Sequence, residues 1–282
     1  MEYIILMDRW PNWIRRSATN RETPDSSSGR STKNSMNNNL IIYVINLKRD
    51  SERLRNITNE LKKQNIINFE LIEAIDSKKI SDDDINRSVS KNNKFINPQN
   101  TNMNKEEICC SLSHLKAYKK FIESEFDYAL ILEDDAVFVD NFTENLKKFI
   151  LKNFTHDKQI IFLSELWEFF KKPINKQNNY EIVNVANAVY AHSYVINKKA
   201  AISISSLNYP VKTIADNFVV FKIYCGVKLF GLNPFLLKQD KNRFDSTIPV
   251  GNKMEKVFLF RRSLYRLINK IFRLLGLFNS HK

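Results

Sequence analysis

The chain has 282 residues, of which 43% are hydrophobic and 12% aromatic, and its formal net charge is +13. This composition excludes a chain that is disordered throughout, and no run of about 18 uncharged apolar residues is present that would span a bilayer. The positive charge predicts attraction to a polyanion: nucleic acid, anionic lipid or a phosphorylated substrate. The cysteines, Cys109, Cys110 and Cys225, lack the paired spacing of a zinc site or a disulfide framework, which favours a reducing cytoplasm.

Residues 1–36 differ in composition from the rest of the chain. Arginine outnumbers lysine there by five to one, the stretch 26–35 is rich in serine, and no apolar period is present to direct folding. We expect a disordered leader, either a fusion or a misassigned start with Met36 as the natural initiator. The folded domain is placed in residues 37–250.

From Leu40 the hydrophobic pattern predicts a βαβ unit, with a strand over 40–47, a helix over 51–65 and a strand over 69–75. Residues 76–105 are polar with little period, and we expect either a mobile loop beside a site or an insertion without function. The remaining predicted elements are a helix over 106–124, a strand over 128–133, a helix near 143–152, strands over 159–166 and 187–197, helices over 198–207 and 215–226, and an extended segment over 228–239.

This alternation of strands and helices predicts an α/β fold with a mostly parallel central sheet flanked by helices. In such folds the ligands bind in the crevice at the carboxyl ends of the strands. Glu133, Asp134 and Asp135 lie at the carboxyl end of one of these predicted strands.

Residues 251–282 predict a basic amphipathic helix. The basic residues Arg262, Arg266, Lys270 and Arg273 follow one another at intervals of four, four and three, and another face carries Leu264, Ile268, Ile271 and Leu275. Such a helix is suited to the interface of an anionic membrane. The alternative is a helix docked on the core with its basic face solvated. We expect the first: a cytoplasmic protein, peripheral on the inner face of the cytoplasmic membrane.

Three consecutive carboxylates, Glu133, Asp134 and Asp135, end the apolar strand over 128–133. If the strand continues, Glu133 and Asp135 point to one side and Asp134 to the other. Two carboxylates on one side can share a divalent ion such as Mg²⁺ or Mn²⁺, because these ions prefer oxygen ligands and leave positions for substrate phosphates. The alternative is a strand that ends at the surface in acidic residues.

Three segments resemble, in order, the signatures of glycosyltransferase family 25, the lipooligosaccharide glycosyltransferases, many of which are galactosyltransferases. They are "YVINLKRDSERL" at 43–54, "EEICCSLSHLKAYK" at 106–119 and "YALILEDDAVF" at 128–138. The resemblance extends over roughly residues 40–250. One departure is that the family usually has a Gly-Cys pair where this chain has Cys109 and Cys110.

The resemblance implies a nucleotide-sugar-binding fold of the GT-A type, a UDP-sugar donor such as UDP-galactose and a lipid-linked oligosaccharide acceptor. It implies a Mn²⁺ or Mg²⁺ ion held by Glu133 and Asp135. It also implies a set of donor-binding residues. These are Asn46, Arg49 and Arg53 near the nucleotide, Ser113 and His114 near the donor sugar or its phosphates, and Asp134 toward the donor sugar or the supporting loop.

Sugar transfer with inversion needs a base that takes the proton of the acceptor hydroxyl. We predict Asp216 for this role because it begins a predicted helix after an extended segment, although an aspartate there can simply cap the helix. Glu165, at the end of another apolar strand, is the reserve candidate. His192 could contact a metal or the acceptor, but a single histidine in a strand more often serves packing.

Two other functions use the same features. A metal-dependent phosphohydrolase would use the same carboxylates to act on a water molecule. It would need further metal ligands, and no second cluster rich in His and Asp is present in the sequence. A nucleic-acid-binding protein would explain the positive charge, but no nucleic-acid motif accompanies the basic tail. We expect no nucleic-acid partner.

Overall fold

The computed structural model describes residues 39–91, 103–139, 142–155, 157–165, 168–188, 191–240 and 260–280. The predicted leader, residues 1–36, lies outside the described residues. The segments 92–102 and 241–259 also lie outside them.

The described strands and helices match most of the predicted elements. The strands are β1 (Leu40–Asn46), β2 (Glu70–Glu73), β3 (Tyr128–Glu133), β4 (Ala136–Phe138), β5 (Gln159–Phe162), β6 (Glu168–Gln177), β7 (Tyr180–Asn187), β8 (Ser193–Asn197), β9 (Lys228–Asn233), β10 (Leu237–Gln239) and β11 (Phe278–Asn279). The helices are α1 (Ser51–Lys63), α2 (Asp82–Ser88), α3 (Lys105–Glu123), α4 (Phe142–Asn145), α5 (Lys198–Asn208), α6 (Phe218–Cys225) and α7 (Phe260–Leu274). A π-helix (Leu146–Ile150) and a 3₁₀ helix (Leu151–Asn153) continue α4.

In the described part of the chain, nine strands form one sheet in the order β11-β6-β7-β9-β5-β8-β3-β1-β2, and β4 pairs with β10 separately. The pairs β1·β2, β1·β3 and β5·β9 are parallel. The pairs β3·β8, β5·β8, β6·β7, β7·β9 and β6·β11 are antiparallel. The fold is α/β, as predicted, but the sheet is mixed, and the prediction of a mostly parallel sheet is wrong.

The reason for the mixed sheet is a hairpin that breaks the alternation of strands and helices. β6 and β7 are joined directly across Asn178 and Asn179, without a crossover helix, so they pair antiparallel. Asn178 has φ of 53°, a left-handed conformation that asparagine tolerates in tight hairpin turns. β8 then returns between β3 and β5 in the opposite direction to both.

The polar segment 76–105 is more regular than predicted, because it contains α2. Ser81 caps this helix by accepting a hydrogen bond from the Asp84 backbone N–H at 3.1 Å. Ile85 is buried and fixes the helix to the core. The short length of α2 explains why its sequence shows little apolar period.

The core lies on both faces of the sheet because the central strands carry apolar side chains on both sides. Along β3, Ala129 and Ile131 pack on the face that α3, α5 and α6 cover, while Leu130 and Leu132 pack on the face covered by α1 and α4. By the same alternation, Glu133 is expected on the α3 face. At the carboxyl end of the chain, Gly276 with φ of 65° follows α7, and β11 pairs with β6. No described helix is both long and apolar enough to cross a bilayer.

We predict that the amino end of α3 contributes measurably to stability. Asn104 accepts a hydrogen bond from the Glu107 N–H at 2.8 Å, and the Glu107 carboxylate accepts one from the Asn104 N–H at 2.8 Å. Asn104→Ala should therefore lower the free energy of unfolding by about 1 kcal/mol in urea denaturation. Asn104→Ser retains a capping oxygen and should stay close to the parent; equal stability of all three proteins would show that this cap contributes nothing.

Candidate active site

A cavity of about 320 Å³ lies at the carboxyl ends of β1, β2 and β3, where the parallel strands end beside one another. This position agrees with the expectation for an α/β sheet. Seven of the ten predicted site residues line it: Asn46, Arg49, Arg53, Ser113, His114, Glu133 and Asp134. Three signature segments that are distant in sequence therefore converge on one cavity.

Asp134 is held by residues from β1 and α1. Its Oδ1 accepts a hydrogen bond from Arg53 Nε at 2.6 Å, and its Oδ2 accepts one from Asn46 Nδ2 at 2.7 Å. Burial raises the pKa of Asp134 above its usual range, although Arg53 and Asn46 oppose this effect. For Arg53, burial lowers the pKa, but the charges of Asp134 and Asp135 outweigh burial and leave it raised. Arg53 and Asp134 therefore form a partly buried ion pair.

Asp135 shares the same arginine. Its Oδ2 accepts hydrogen bonds from Arg53 Nη2 at 3.2 Å and from Gln239 Nε2 at 3.0 Å. Its Oδ1 is buried and has no hydrogen-bond partner among the described residues. β3 ends at Glu133, so the alternation of a strand does not continue through Asp134 and Asp135. The expectation that Glu133 and Asp135 share one side, with Asp134 opposite, is wrong, because Arg53 holds both aspartates.

Glu133 lies on the other face of the sheet, against α3. Its Oε1 is 3.1 Å from His114 Nε2, and His114 Nδ1 is 2.9 Å from the Tyr194 hydroxyl, which is hydrogen-bonded to Tyr118. Burial raises the pKa of Glu133, but the hydrogen bond from His114, together with the positive charge of Arg53, outweighs burial, and the pKa lies below its usual value. Glu133 is therefore an ionised acceptor, and His114 Nε2 donates to it.

The hydrogen bonds of this network run in one direction when the imidazole is neutral. Tyr118 donates to Tyr194, Tyr194 donates to His114 Nδ1, and His114 Nε2 donates to Glu133. Every donor then has an acceptor in the protein interior. Neither tyrosine was among the predicted site residues. Tyr118 lies four residues after His114 on one helix face, which is a usable signal, but no local pattern indicates Tyr194.

Cys110 lies one helical turn before His114 and belongs to the same cluster. Ligand atoms of Cys110, His114 and Glu133 all lie within 4.8 Å of one another. Burial, followed by the charges of Glu133 and Asp216, raises the pKa of the Cys110 thiol well above its usual value. The thiol is therefore protonated at neutral pH and is not a nucleophile.

Asp216 is half-buried beside this cluster, just before α6. Burial and then the negative charge of Glu133 raise its pKa to about 6. α6 begins at Phe218 and its N-cap position is Asn217. Asp216 therefore does not occupy the N-cap position, which was the alternative to a catalytic role.

Three further predicted site residues, Arg49, Ser113 and Glu165, lie in three different environments. Arg49 forms an ion pair with Asp76 at the cavity rim. Ser113 Oγ accepts from the Ile75 N–H at 2.8 Å and donates to the Cys109 carbonyl at 2.7 Å, so it ties α3 to the end of β2. Glu165 follows β5 at the same edge of the sheet, two strands from β3, and its buried Oε2 has no hydrogen-bond partner among the described residues.

His192 is buried next to the site. The Glu133 N–H donates to the His192 carbonyl at 2.9 Å. The backbone of His192 thus fixes the end of β3.

The sequence model of glycosyltransferase family 25, described as an LPS biosynthesis protein, matches residues 39–219. The chain belongs to glycosyltransferase family 25. The match includes the ten predicted site residues and ends before α7.

Several relatives of this family 25 protein carry related names. A Haemophilus influenzae protein with a provisional glycosyltransferase name is 28% identical over 229 residues, covering 74% of this chain and 75% of its own length. The "Procollagen lysyl hydroxylase and glycosyltransferase" of Acanthamoeba polyphaga mimivirus is 27% identical, covering 73% of this chain. The human "Procollagen galactosyltransferase 2" is 28% identical over 159 residues, covering 54% of this chain. The aligned regions cover 25% of the mimivirus protein and 24% of the human protein.

We predict that the tyrosine network stabilises the fold and fixes the imidazole of His114. Tyr194→Phe leaves His114 Nδ1 and the Tyr118 hydroxyl without their shared partner, and should lower the free energy of unfolding by about 1–3 kcal/mol. The double variant Tyr118→Phe/Tyr194→Phe should cost less than the sum of the single changes, because it removes both hydroxyls of one pair. Urea denaturation measures stability, and ¹⁵N NMR of the His114 ring measures the tautomer.

Tyr128→Phe, which removes a hydroxyl at the opposite end of β3, is the matched control. If Tyr194→Phe matches this control in both stability and imidazole shifts, the network does not position His114.

Proposed function

We propose that this glycosyltransferase moves a hexose, galactose, from a UDP-sugar to a lipid-linked oligosaccharide of the lipooligosaccharide type. Family membership supports sugar transfer, and the names of the procollagen relatives support galactose. The family description, which refers to LPS biosynthesis, supports the acceptor. The observation that carries the proposal is the cavity, which is lined by Asn46, Arg53 and His114 together with two carboxylates at the end of β3, Glu133 and Asp134.

The cavity offers the cationic groups that a nucleotide diphosphate requires. Arg49, Arg53 and Lys78 line it. Arginine binds phosphate oxygens through paired N–H groups. The Arg53 side chain is already oriented by Asp134 and Asp135, so it loses little conformational freedom when a donor binds. We propose that Asn46, Arg49 and Arg53 bind the nucleotide part and that Ser113, His114 and Asp134 lie beside the donor sugar.

We propose Asp135 as a ligand of a Mn²⁺ or Mg²⁺ ion, but not the predicted pair of Asp135 and Glu133, because Glu133 lies on the other face of the sheet against His114. Asp135 Oδ1 is a buried carboxylate oxygen without a hydrogen-bond partner among the described residues, which is the donor such an ion prefers. The group of Cys110, His114 and Glu133 provides one sulfur, one nitrogen and one oxygen, a set less suited to these ions. When bound, the ion would neutralise charge on the departing diphosphate.

Asp216 is our proposed base for an inverting transfer. The acceptor oxygen forms a bond to C1 of the sugar, the bond from C1 to the phosphate oxygen breaks with release of UDP, and the acceptor proton passes to the Asp216 carboxylate. With a pKa of about 6, Asp216 is mainly ionised at pH 7 and is a stronger proton acceptor than an ordinary aspartate. Glu165 remains the reserve candidate. We place this reaction on the inner face of the cytoplasmic membrane.

We predict that substitutions separate donor binding from proton transfer. Asp135→Asn should weaken binding of UDP-galactose with Mn²⁺ in titration calorimetry and lower turnover in parallel. Asp216→Asn should bind donor and Mn²⁺ nearly as the parent does but lose about 10²- to 10⁴-fold in turnover, because the base acts in the transition state. Glu165→Gln is the matched control for loss of a carboxylate at the same edge of the sheet.

Donor and metal binding by Asp135→Asn that equals the parent would exclude Asp135 as a ligand. Full turnover by Asp216→Asn, with loss in Glu165→Gln, would move the base to Glu165.

We predict that turnover depends on the ionisation of Asp216. An aspartate with a raised pKa is protonated as the pH falls through about 6, and the protonated form cannot accept the acceptor proton. At saturating metal and donor, kcat should therefore fall about tenfold for each pH unit well below 6, and it should level off above pH 7. A profile that stays flat down to pH 5, where metal and donor remain bound by calorimetry, would contradict Asp216 as the base.

A further inference from the structure

The segment that contains α7 and β11 is fixed to one edge of the sheet. Tyr265 donates a hydrogen bond to the Ala186 carbonyl at the end of β7. Arg273 Nη2 donates to Glu168 Oε2 at 2.8 Å, and the ring of Phe272 lies 5.5 Å from that of Phe170. β11 adds an antiparallel strand to β6. The helix therefore has a defined docking side that does not include its leucine and isoleucine residues.

The opposite side of α7 is apolar and exposed. We define the apolar face as Leu264, Leu267, Ile268, Ile271 and Leu274. At 3.6 residues per turn these positions cover an arc of about 120°. Leu267 is 55% exposed and Leu274 is 80% exposed. Of the ten exposed large aliphatic residues in the described part of the chain, seven lie between residues 264 and 277. The apolar face is thus a concentrated patch.

The charged side chains that border the apolar face are positive. Arg266 and Lys270 are exposed and border the apolar face on one side of the helix. The sequence from Lys256 to Lys282 contains no acidic residue. A second copy of this chain is a poor occupant, because a twofold interface would bring the same cations together. Anionic lipid headgroups complement the arginine and lysine, and the hydrocarbon boundary accommodates the leucines and isoleucines.

We infer that the apolar face of α7 inserts into the surface of an anionic bilayer, with Arg266 and Lys270 on the lipid headgroups. The docking contacts then fix the orientation of the catalytic domain, since α7 is attached at β6. Four strands lie between β6 and β3, so the cavity is roughly 25 Å along the sheet from the docked edge. The cavity therefore remains accessible when the helix is on the membrane, and turnover of a soluble acceptor does not depend on docking.

Point substitutions on the exposed side test this inference better than a truncation, which would uncover Phe170 and remove β11. The full chain is mixed with vesicles of phosphatidylcholine alone or with phosphatidylglycerol, and binding is measured by flotation. Leu267→Ser/Ile271→Ser should weaken binding at least tenfold, because two aliphatic side chains leave the acyl boundary. Arg266→Gln/Lys270→Gln should weaken it about fivefold for each charge, with a reduced dependence on salt.

Ile174→Ser is the matched control, because Ile174 is 51% exposed on β6, close to the 46% of Ile271, but lies outside the apolar face. We expect the control to bind as the parent does, and all variants to keep the parent's melting temperature. Absence of parent binding to phosphatidylglycerol vesicles would overturn the inference, as would equal binding to phosphatidylcholine alone. So would a parent dimer in ultracentrifugation that Leu267→Ser/Ile271→Ser converts to monomers. These readouts do not use sugar transfer and are independent of the proposed function.

Discussion

The site depends on neutralising the carboxylates at the end of β3. Asp134 and Asp135 are 7% and 6% exposed. Burial of a single uncompensated ion costs several kcal/mol. Arg53 compensates both aspartates, at 2.6 Å from Asp134 Oδ1 and 3.2 Å from Asp135 Oδ2. The acidic run can be accommodated at a buried strand end because one arginine contacts two of its carboxylates. Any ligand that binds there has to leave these carboxylates with a compensating positive charge.

The order of elements in the chain explains how the compensation arises. α1 follows β1 directly, and β1 lies beside β3 in the sheet, so the first turn of α1 brings Arg53 to Asp134. α3 covers the other face and brings His114 to Glu133. The three adjacent carboxylates are thereby divided. Two face a permanent cation and one faces an imidazole, which gives neighbouring residues different electrostatic surroundings on the two faces of one sheet.

Much of this arrangement can be predicted from the sequence. The remaining features cannot be predicted, for physical reasons. The ends of β3 and the positions of α1 and α3 follow from apolar runs and helical periods, and the signatures place Arg53 and His114 near the acidic run. The directions of the strands do not follow from these local patterns, because they are set by the path of the connections between strands. The β6–β7 hairpin was not predicted, since much of β6 is polar and exposed. Tyr194 was missed because its contact with His114 joins residues 80 positions apart.

The different surroundings of the three carboxylates also affect Asp216, because Asp216 lies near Glu133. Glu133 stays ionised because His114 donates to it, and its negative charge is the second cause, after burial, of the raised pKa of Asp216. A proton on Asp216 relieves this repulsion, so the cluster favours accepting one. His114 thus affects the proposed base through Glu133, without contact with the acceptor. The network from Tyr118 to Glu133, which holds the imidazole, is in this way connected to the proton affinity of Asp216.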